Sequence, residues 1–178
     1  MSGPSFDESI PFKGLRIAVM TVSDTRTEET DKSGALLVER ALEAGHHVMD
    51  KVIIPDDRKR IEVQLRRWIN EPNVEVVLAT GGTGVTGRDV TPEAFEAVWE
   101  KSIPGFGELF RMLSYEHIGT SAIQSRAVAG VARGTYMFAL PGSTGACKDA
   151  WDGILRYQFD IRFRPCNFAE LLPRLQEH

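Results

Sequence analysis

The sequence predicts an α/β fold of three layers, αβα, in which helices cover both faces of a mostly parallel sheet. Short apolar runs of strand type alternate along the chain with segments of helical spacing, the order that parallel sheets require. These runs are apolar at nearly every position, as strands buried on both faces are. The length of 178 residues, with 42% hydrophobic content, suits one domain with its own core.

The first half of the chain predicts three strands and two helices. Residues 1–13 are polar and contain Pro4 and Pro11, so we expect a flexible arm ahead of a single domain over residues 14–178. Apolar runs predict strands over 15–22, 47–54 and 74–79. Helical spacing predicts helices over 34–44, ended by Gly45, and over 58–70.

The second half predicts three helices and one further strand. Helices are expected over 92–100, 107–117 and 144–157, and a strand over 136–140. Thr91, Pro92 and Glu93 predict the start of the first of these helices, with Thr91 as its cap. Residues 121–132 combine a short helical start with Gly130, and the tail from residue 162 is basic and then irregular.

The most informative segment is the glycine-rich loop over residues 80–93, between the predicted strand 74–79 and a helix. Glycines let backbone amides approach an anion, and a helix start adds partial positive charge, so this order favours phosphate binding. Arg88 adds a cation for phosphate and Asp89 a carboxylate for a metal ion. A simple glycine-rich connection without a ligand is the alternative.

The loop also matches two well-known motifs incompletely. Gly82, Gly84 and Gly87 fit the dinucleotide-binding pattern, which should open a helix at once, whereas several residues and a proline intervene here. Gly82 and Gly87 have the glycine spacing of a P-loop, but Arg88 and Asp89 replace the required Lys and Ser or Thr. Neither motif is therefore satisfied.

Four polar or glycine-rich loops each follow a predicted strand. They are residues 23–24, 56–57, 81–89 and 141–143. Because ligands of open α/β sheets bind outside the carboxyl ends of the strands, these loops are expected to converge on one site.

Composition excludes several classes of function. The formal net charge of −4 argues against a general nucleic-acid binder. The two cysteines, Cys147 and Cys166, form no Cys-x-x-Cys motif, and Cys147 is most simply a small packed side chain in a helix. The first residues lack the apolar core of a signal peptide, and no apolar run has membrane-spanning length, so we expect a cytoplasmic protein without membrane contact.

Several segments together resemble the MoaB/Mog family of molybdenum cofactor biosynthesis. They are Thr21-Val-Ser-Asp24, Gly81-Gly-Thr-Gly84 with Arg88-Asp-Val-Thr-Pro-Glu93, Pro104-Gly-Phe-Gly107, Ser125-Arg126 and Leu140-Pro-Gly-Ser143. The resemblance runs from about residue 15 to about residue 168. Residues 106–114 and 164–168 look most like the MoaB branch.

The resemblance implies that the protein binds molybdopterin and Mg-ATP and transfers an adenylyl group to the pterin's terminal phosphate. It implies Asp89 and Asp56 as catalytic residues and Mg²⁺ ligands. The implied substrate- and phosphate-binding residues are Ser23, Gly81, Gly82, Thr83, Gly84, Arg88, Ser125, Arg126, Pro141, Gly142 and Ser143. A non-catalytic molybdopterin-binding scaffold is the first alternative function, and a nicotinamide-dependent oxidoreductase the second.

Several of these residues also have structural interpretations. Asp56 could cap the helix 58–70, and Asp89 or Thr91 the helix that follows the glycine loop. Arg88 and Arg126 could pair with nearby acids rather than with phosphate. Ser23 and Ser143 could be capping serines.

Apolar residues on one predicted helix and in the tail indicate an oligomer. Phe106, Leu109, Phe110, Met112 and Leu113 nearly encircle the helix 107–117, and Phe163, Phe168, Leu171 and Leu172 lie in an irregular tail. The resemblance implies a homotrimer, and its MoaB branch a hexamer, with the site near a subunit boundary. The alternative is that these residues fill the core of one monomer.

Overall fold

In the computed structural model, which describes residues 3–178, two sheets and the helices around them form the fold. The strands are β1 (Ser5–Phe6), β2 (Arg16–Val22), β3 (His47–Ile54), β4 (Val76–Thr80), β5 (Lys101–Ser102), β6 (Val128–Ala132), β7 (Thr135–Leu140) and β8 (Phe163–Arg164). The helices are α1 (Lys32–Glu43), α2 (Arg58–Ile69), α3 (Thr91–Glu96), α4 (Pro104–Ile118), α5 (Thr144–Ala150), α6 (Arg156–Gln158) and α7 (Phe168–Leu171). A π-helical turn, Trp151–Leu155, joins α5 to α6, and 3₁₀ turns span Gly119–Gln124 and Leu172–Arg174.

The main sheet has six strands in the order β3-β2-β4-β7-β6-β5. The pairs β2–β3, β2–β4 and β4–β7 are parallel, whereas β6 runs antiparallel to both β7 and β5. The three-layer, mostly parallel fold predicted from the sequence is confirmed. Because β2, β4 and β7 are adjacent and parallel, the loops that follow them leave the same edge of the sheet.

Two separate apolar clusters lie on the two faces of the sheet. On one face Ile17 and Val19 of β2 pack with Leu37 of α1, Phe110 of α4 and Leu155. On the other face Ala18 and Met20 of the same strand pack with Ile61 and Leu65 of α2 and Phe95 of α3. Successive residues of one strand therefore serve opposite faces, which explains why the predicted strands read as continuous apolar runs.

Short polar side chains fix where several helices begin. Asp31 accepts a hydrogen bond from Gly34 N (2.9 Å), and Asp57 accepts one from Arg60 N (2.9 Å), so these residues cap α1 and α2. Ser143 caps α5 by accepting from Ala146 N (3.1 Å). Helix α3 has Val90 at the cap position without a side-chain hydrogen bond, so the predicted cap at Thr91 is wrong.

The expectation of a flexible arm over residues 1–13 is corrected for the residues the structure describes. Ser5 and Phe6 pair with Arg164 and Phe163, and the Phe6 ring stacks on Tyr157 with ring centroids 6.0 Å apart. This end of the chain is therefore packed against the tail, which pattern analysis could not detect because a two-residue strand has no measurable period. Residues 1 and 2 lie outside the described residues.

The region after α4 also differs from the prediction. Residues 128–132 form strand β6, whereas the sequence suggested a mixed segment with a helical start. The 3₁₀ turn Gly119–Gln124 accounts for that helical signal. Gly130 lies on β6 beneath Trp99, whose ring atoms a Cβ at this position would overlap. The glycine that obscured the strand pattern therefore makes room for a tryptophan.

Candidate ligand-binding cleft

A cleft of about 490 Å³ opens at the carboxyl edge of strands β2, β4 and β7. Of the residues expected to form the site, those lining the cleft are Ser23, Asp56, Gly81, Gly82, Thr83, Gly84, Asp89, Ser125, Pro141, Gly142 and Ser143. The four strand-following loops predicted to converge therefore meet at one place, together with the end of α4 and the turn after it. A cleft of this size accommodates a small organic ligand.

The glycine turn of the cleft is built so that only glycine fits at two positions. Gly81 has φ +104° and Gly82 has φ +68°, a conformation that other residues rarely adopt. A Cβ on Gly81 would overlap the carbonyl oxygen of Val22, and one on Gly82 would overlap Thr91 Oγ1. A Cβ on Gly142 would lie 3.3 Å from the Cα of Gly81, so the backbones of these two loops are in close contact.

Hydrogen bonds hold this turn to its neighbours. Gly81 N donates to Leu140 O (2.9 Å), and Thr91 N donates to Gly82 O (3.0 Å). Thr91 Oγ1 donates to Gly81 O (2.8 Å), so Thr91 ties the loop back onto itself. The hydroxyl that sequence analysis assigned to a helix cap therefore shapes the glycine turn.

Asp89 closes the far end of the glycine loop. Its Oδ2 accepts hydrogen bonds from Thr86 N (2.9 Å) and Thr86 Oγ1 (2.7 Å). Burial alone would raise the pKa of Asp89, but these bonds, one from Gly84 N and the nearby Arg126 charge lower it below its usual value. Asp89 is therefore held ionised at the cleft wall and does not cap α3.

Asp56 also lines the cleft, and it forms two hydrogen bonds with Asp24. Asp24 N donates to Asp56 Oδ2 (3.0 Å), and Asp56 N donates to Asp24 Oδ1 (3.0 Å). Burial and the neighbouring Asp24 charge raise the pKa of Asp56. The cap of α2 is the next residue, Asp57, so Asp56 is not the helix cap and its carboxylate faces the cleft.

Arg88 and Arg126, both expected to bind phosphate, do not line the cleft. Arg88 forms a two-pronged ion pair with Asp24, with Nε–Oδ2 3.0 Å and Nη2–Oδ1 2.8 Å. Arg126 pairs with Glu93 and donates from Nε to Gly84 O (2.7 Å) and from Nη2 to Asp89 O (2.9 Å). Both arginines therefore form ion pairs with acidic residues of the protein, and Arg126 also links Gly84 to Asp89 within the glycine loop.

The serines of the site also serve the backbone. Ser23 Oγ accepts from Thr25 N (3.2 Å) and Arg26 N (3.1 Å), and Ser143 caps α5. A hydroxyl that accepts from an amide keeps its own proton to donate, so neither role excludes a bond to a ligand.

Sequence reasoning did not assign several polar lining residues to the site: Thr21, Arg26, Ser33, Thr80, Ser114, Ser121 and Gln124. Ser33 lies on α1 and Ser114 on α4, inside helices where a serine carries no motif signal. Arg26 had a usable signal, because it follows Ser23 by three residues in a loop that leaves the carboxyl edge.

Across residues 3–178, no group of three or more His, Cys, Asp or Glu side chains is arranged to hold a metal ion by itself. None of the helices in the described part of the chain has both the length and the apolar character needed to span a membrane.

These features define an α/β protein with a ligand-sized cleft at the carboxyl edge of its sheet, lined by a glycine turn and two carboxylates. Comparisons with known proteins define it further. Residues 18–160 match the family model described as a probable molybdopterin binding domain. The chain is 54% identical over 160 residues to molybdenum cofactor biosynthesis protein B of Escherichia coli K12, covering 90% of this chain and 94% of that protein. The corresponding Bacillus cereus protein is 49% identical over 144 residues, with coverage of 80% and 85%.

Solved structures agree with the sequence relatives. A crystal structure of molybdenum cofactor biosynthesis protein B aligns with a TM-score of 0.84 and 42% identity, covering 93% of this chain and 98% of that one. The tungsten cofactor synthesizing protein MoaB from Pyrococcus furiosus aligns with a TM-score of 0.76 and 34% identity, covering 93% and 99%. The chain therefore belongs to the MoaB/Mog family of molybdenum cofactor biosynthesis proteins, as its motifs predicted.

Proposed function

We propose that this protein binds molybdopterin and Mg-ATP in the cleft and transfers the adenylyl group to the pterin's terminal phosphate. The observation that carries the proposal is that Asp56 and Asp89 line the same cleft as the glycine turn. A phosphate oxygen of the pterin attacks the α-phosphorus of ATP, and pyrophosphate leaves. Because two polyanions must meet, the site has to neutralise charge where they react.

The carboxylates fit a magnesium site that the substrates complete. Mg²⁺ is usually held by one or two carboxylates together with substrate phosphates and water. The donor set here is two carboxylates in one cleft, which matches that description, whereas a protein-only cage would need more ligands. When bound, the ion would withdraw charge from the phosphate oxygens. Asp89, with its lowered pKa, is the carboxylate kept ionised for that role.

The remaining walls suit the other parts of the substrates. The glycine turn offers backbone amides to phosphate, and the hydroxyls of Ser23 and Ser143 can each donate one bond. Phe110 and Ser114 of α4 and Gln124 of the turn after it also line the cleft, so it contains an aromatic side chain together with hydrogen-bonding groups. That combination suits a planar heteroaromatic ring with polar edges, such as a pterin.

The structure disfavours the nicotinamide alternative on two points. The glycine loop follows β4, the third strand of the main sheet along the chain, rather than the first. The third glycine of the dinucleotide pattern should allow close contact between helix and strand, but a Cβ on Gly87 would meet nothing within 4 Å. The pattern is therefore a coincidence of spacing.

An asparagine at Asp89 tests catalysis against simple binding. Asp89→Asn keeps the shape and removes the charge, so we expect pyrophosphate release to fall by at least about 100-fold while pterin binding is largely retained. Asp152→Asn is the matched control, because Asp152 pairs with Arg40 outside the cleft. Unchanged turnover in Asp89→Asn would exclude the metal-ligand role. A wild-type protein that binds pterin but releases no pyrophosphate would establish the scaffolding function instead.

We also propose a homotrimer or, preferentially, a hexamer. Exposed apolar residues lie along α4 and in the 3₁₀ turn after it: Leu109, Met112, Tyr115, Ile118 and Ile123. Ile118 also lines the cleft, so a subunit packed here would border the site. The other predicted interface residues are mostly occupied internally, since Phe106 and Phe110 are core residues and Phe168 and Leu172 pack against the core. The patch on α4 is therefore the surface that a second copy would cover.

A further inference from the structure

We propose that Arg26 is the cation that binds a substrate phosphate in the cleft, the role first assigned to Arg88 and Arg126. This inference depends on the proposed function, because it names the residue that meets the anionic substrate at that same site.

The charge distribution of the cleft singles out Arg26. Among the described residues lining it, Asp56 and Asp89 carry negative charge, and Arg26 is the one lysine or arginine. Two carboxylates beside a phosphate ligand repel it unless a metal ion or a basic side chain offsets their charge. The glycine turn contributes amide dipoles but no full charge. A phosphate that enters this cleft therefore has one basic side chain to meet.

The other two candidate arginines are engaged elsewhere. Arg88 uses its guanidinium on both carboxylate oxygens of Asp24. Arg126 uses Nε, Nη1 and Nη2 on Gly84, Glu93 and Asp89. Releasing either arginine to a ligand would break bonds that shape the loop. Their positions therefore favour support of the site over contact with the substrate.

Arg26 combines a fixed backbone with an available guanidinium. Its backbone amide donates to Ser23 Oγ (3.1 Å), which anchors the residue next to a cleft serine. Its side chain is exposed and makes one long hydrogen bond, from Nη1 to Thr30 O (3.3 Å), and no ion pair with the described residues. Most of its N–H donors thus remain for a ligand. The planar fork of a guanidinium matches two phosphate oxygens, which a single ammonium group does not.

Binding measurements on Arg26→Met test the proposal with three probes: molybdopterin, Mg-ATP and inorganic pyrophosphate. Loss of a charge-assisted, two-pronged contact should weaken the affinity for the contacted phosphate by about 10- to 100-fold. Arg26→Lys should recover part of that affinity because it restores the charge. Weaker binding of molybdopterin alone identifies the pterin phosphate as the partner, and weaker binding of Mg-ATP and pyrophosphate identifies the nucleotide.

Lys32→Met is the matched control. Lys32 opens α1 six positions after Arg26 and lines a different surface groove, so it carries the same charge change without facing the cleft. It should change no affinity more than about twofold, since exposed charges at a distance are screened. Thermal unfolding of Arg26→Met should match the wild type, because one exposed hydrogen bond contributes little to stability.

The outcomes distinguish failure of the role of Arg26 from failure of the proposed function. Wild-type protein that binds molybdopterin and Mg-ATP, together with Arg26→Met that binds them equally well, overturns the role of Arg26 and leaves the proposed function in place. Affinity lost equally in Lys32→Met overturns it as well, because the effect is then one of net charge. Wild-type protein that binds none of the probes overturns both the proposed function and the role of Arg26.

Discussion

Replacing Arg126 with methionine should destabilise the fold and disorder the glycine loop together. Arg126 joins two separated residues of the loop, donating to Gly84 O (2.7 Å) and to Asp89 O (2.9 Å), and it also pairs with Glu93. Methionine retains the aliphatic part of the side chain and removes all of these bonds. Arg126→Met should therefore both disorder the glycine loop and lower the free energy of unfolding.

The size of the effect follows from the exposure of the groups. The Arg126 and Glu93 side chains are 34% and 38% exposed, so their ion pair is worth about 0.5 kcal/mol. Each half-buried carbonyl that accepts from the guanidinium contributes about 1 kcal/mol. The sum is about 2–3 kcal/mol, which for a chain of this length lowers Tm by roughly 4–12 °C.

Thermal unfolding at a fixed protein concentration measures the change, because association shifts the apparent stability of an oligomer. Arg58→Met is the matched control: Arg58 forms an exposed helical pair with Glu62, worth about 0.3–0.5 kcal/mol. If the Tm of Arg126→Met lies within about 1 °C of the wild-type Tm, the hydrogen bonds of Arg126 do not stabilise the fold as argued. Molybdopterin binding should fall in the same variant, and unchanged binding with a lowered Tm would show that the loop keeps its shape without Arg126.

Three further predictions concern other parts of the molecule. Burial lowers the pKa of His46 to about 4, although the charge of Asp160 opposes the shift. Because the unfolded state then binds more protons below about pH 6.5, the free energy of unfolding should fall by about 3 kcal/mol between pH 6.5 and 4. Urea unfolding measures this fall, and the stability of His46→Gln should not follow the same pH dependence. Gly82→Ala forces a Cβ onto Thr91 Oγ1 at positive φ and should abolish ligand binding, whereas Gly87→Ala, with open space, should bind normally in calorimetry. Light scattering at micromolar concentration should give a mass of at least three chains of 19.8 kDa, and a mass near one chain would contradict the apolar patch argument.

The sequence predicted best those features that depend on neighbours along the chain. Buried parallel strands appear as apolar runs, and all four predicted strands exist within two residues of their expected bounds. The convergence of the loops after β2, β4 and β7 follows from the parallel order alone, so half of the residues that line the cleft could be named in advance.

Features set by distant partners could not be predicted. Arg88 and Asp24 are 64 positions apart, and nothing local showed that the arginine would pair there rather than face a ligand. Strand β1 pairs with β8 across the length of the chain, and neither two-residue segment has a pattern. The sequence could not show which of two adjacent aspartates caps α2. Asp57 is the cap, and Asp56 therefore lines the cleft instead.

Direct detection of the product tests the central claim. Purified protein is incubated with molybdopterin, ATP and Mg²⁺, and adenylyl-molybdopterin and pyrophosphate are both quantified, with a parallel sample in which Mg²⁺ is chelated. Our account predicts that the two products form in equal amounts, that Mg²⁺ removal stops both, and that Asp89→Asn forms neither at a comparable rate. If the protein binds molybdopterin but forms neither product in the presence of excess ATP and Mg²⁺, the proposed adenylyl transfer is contradicted.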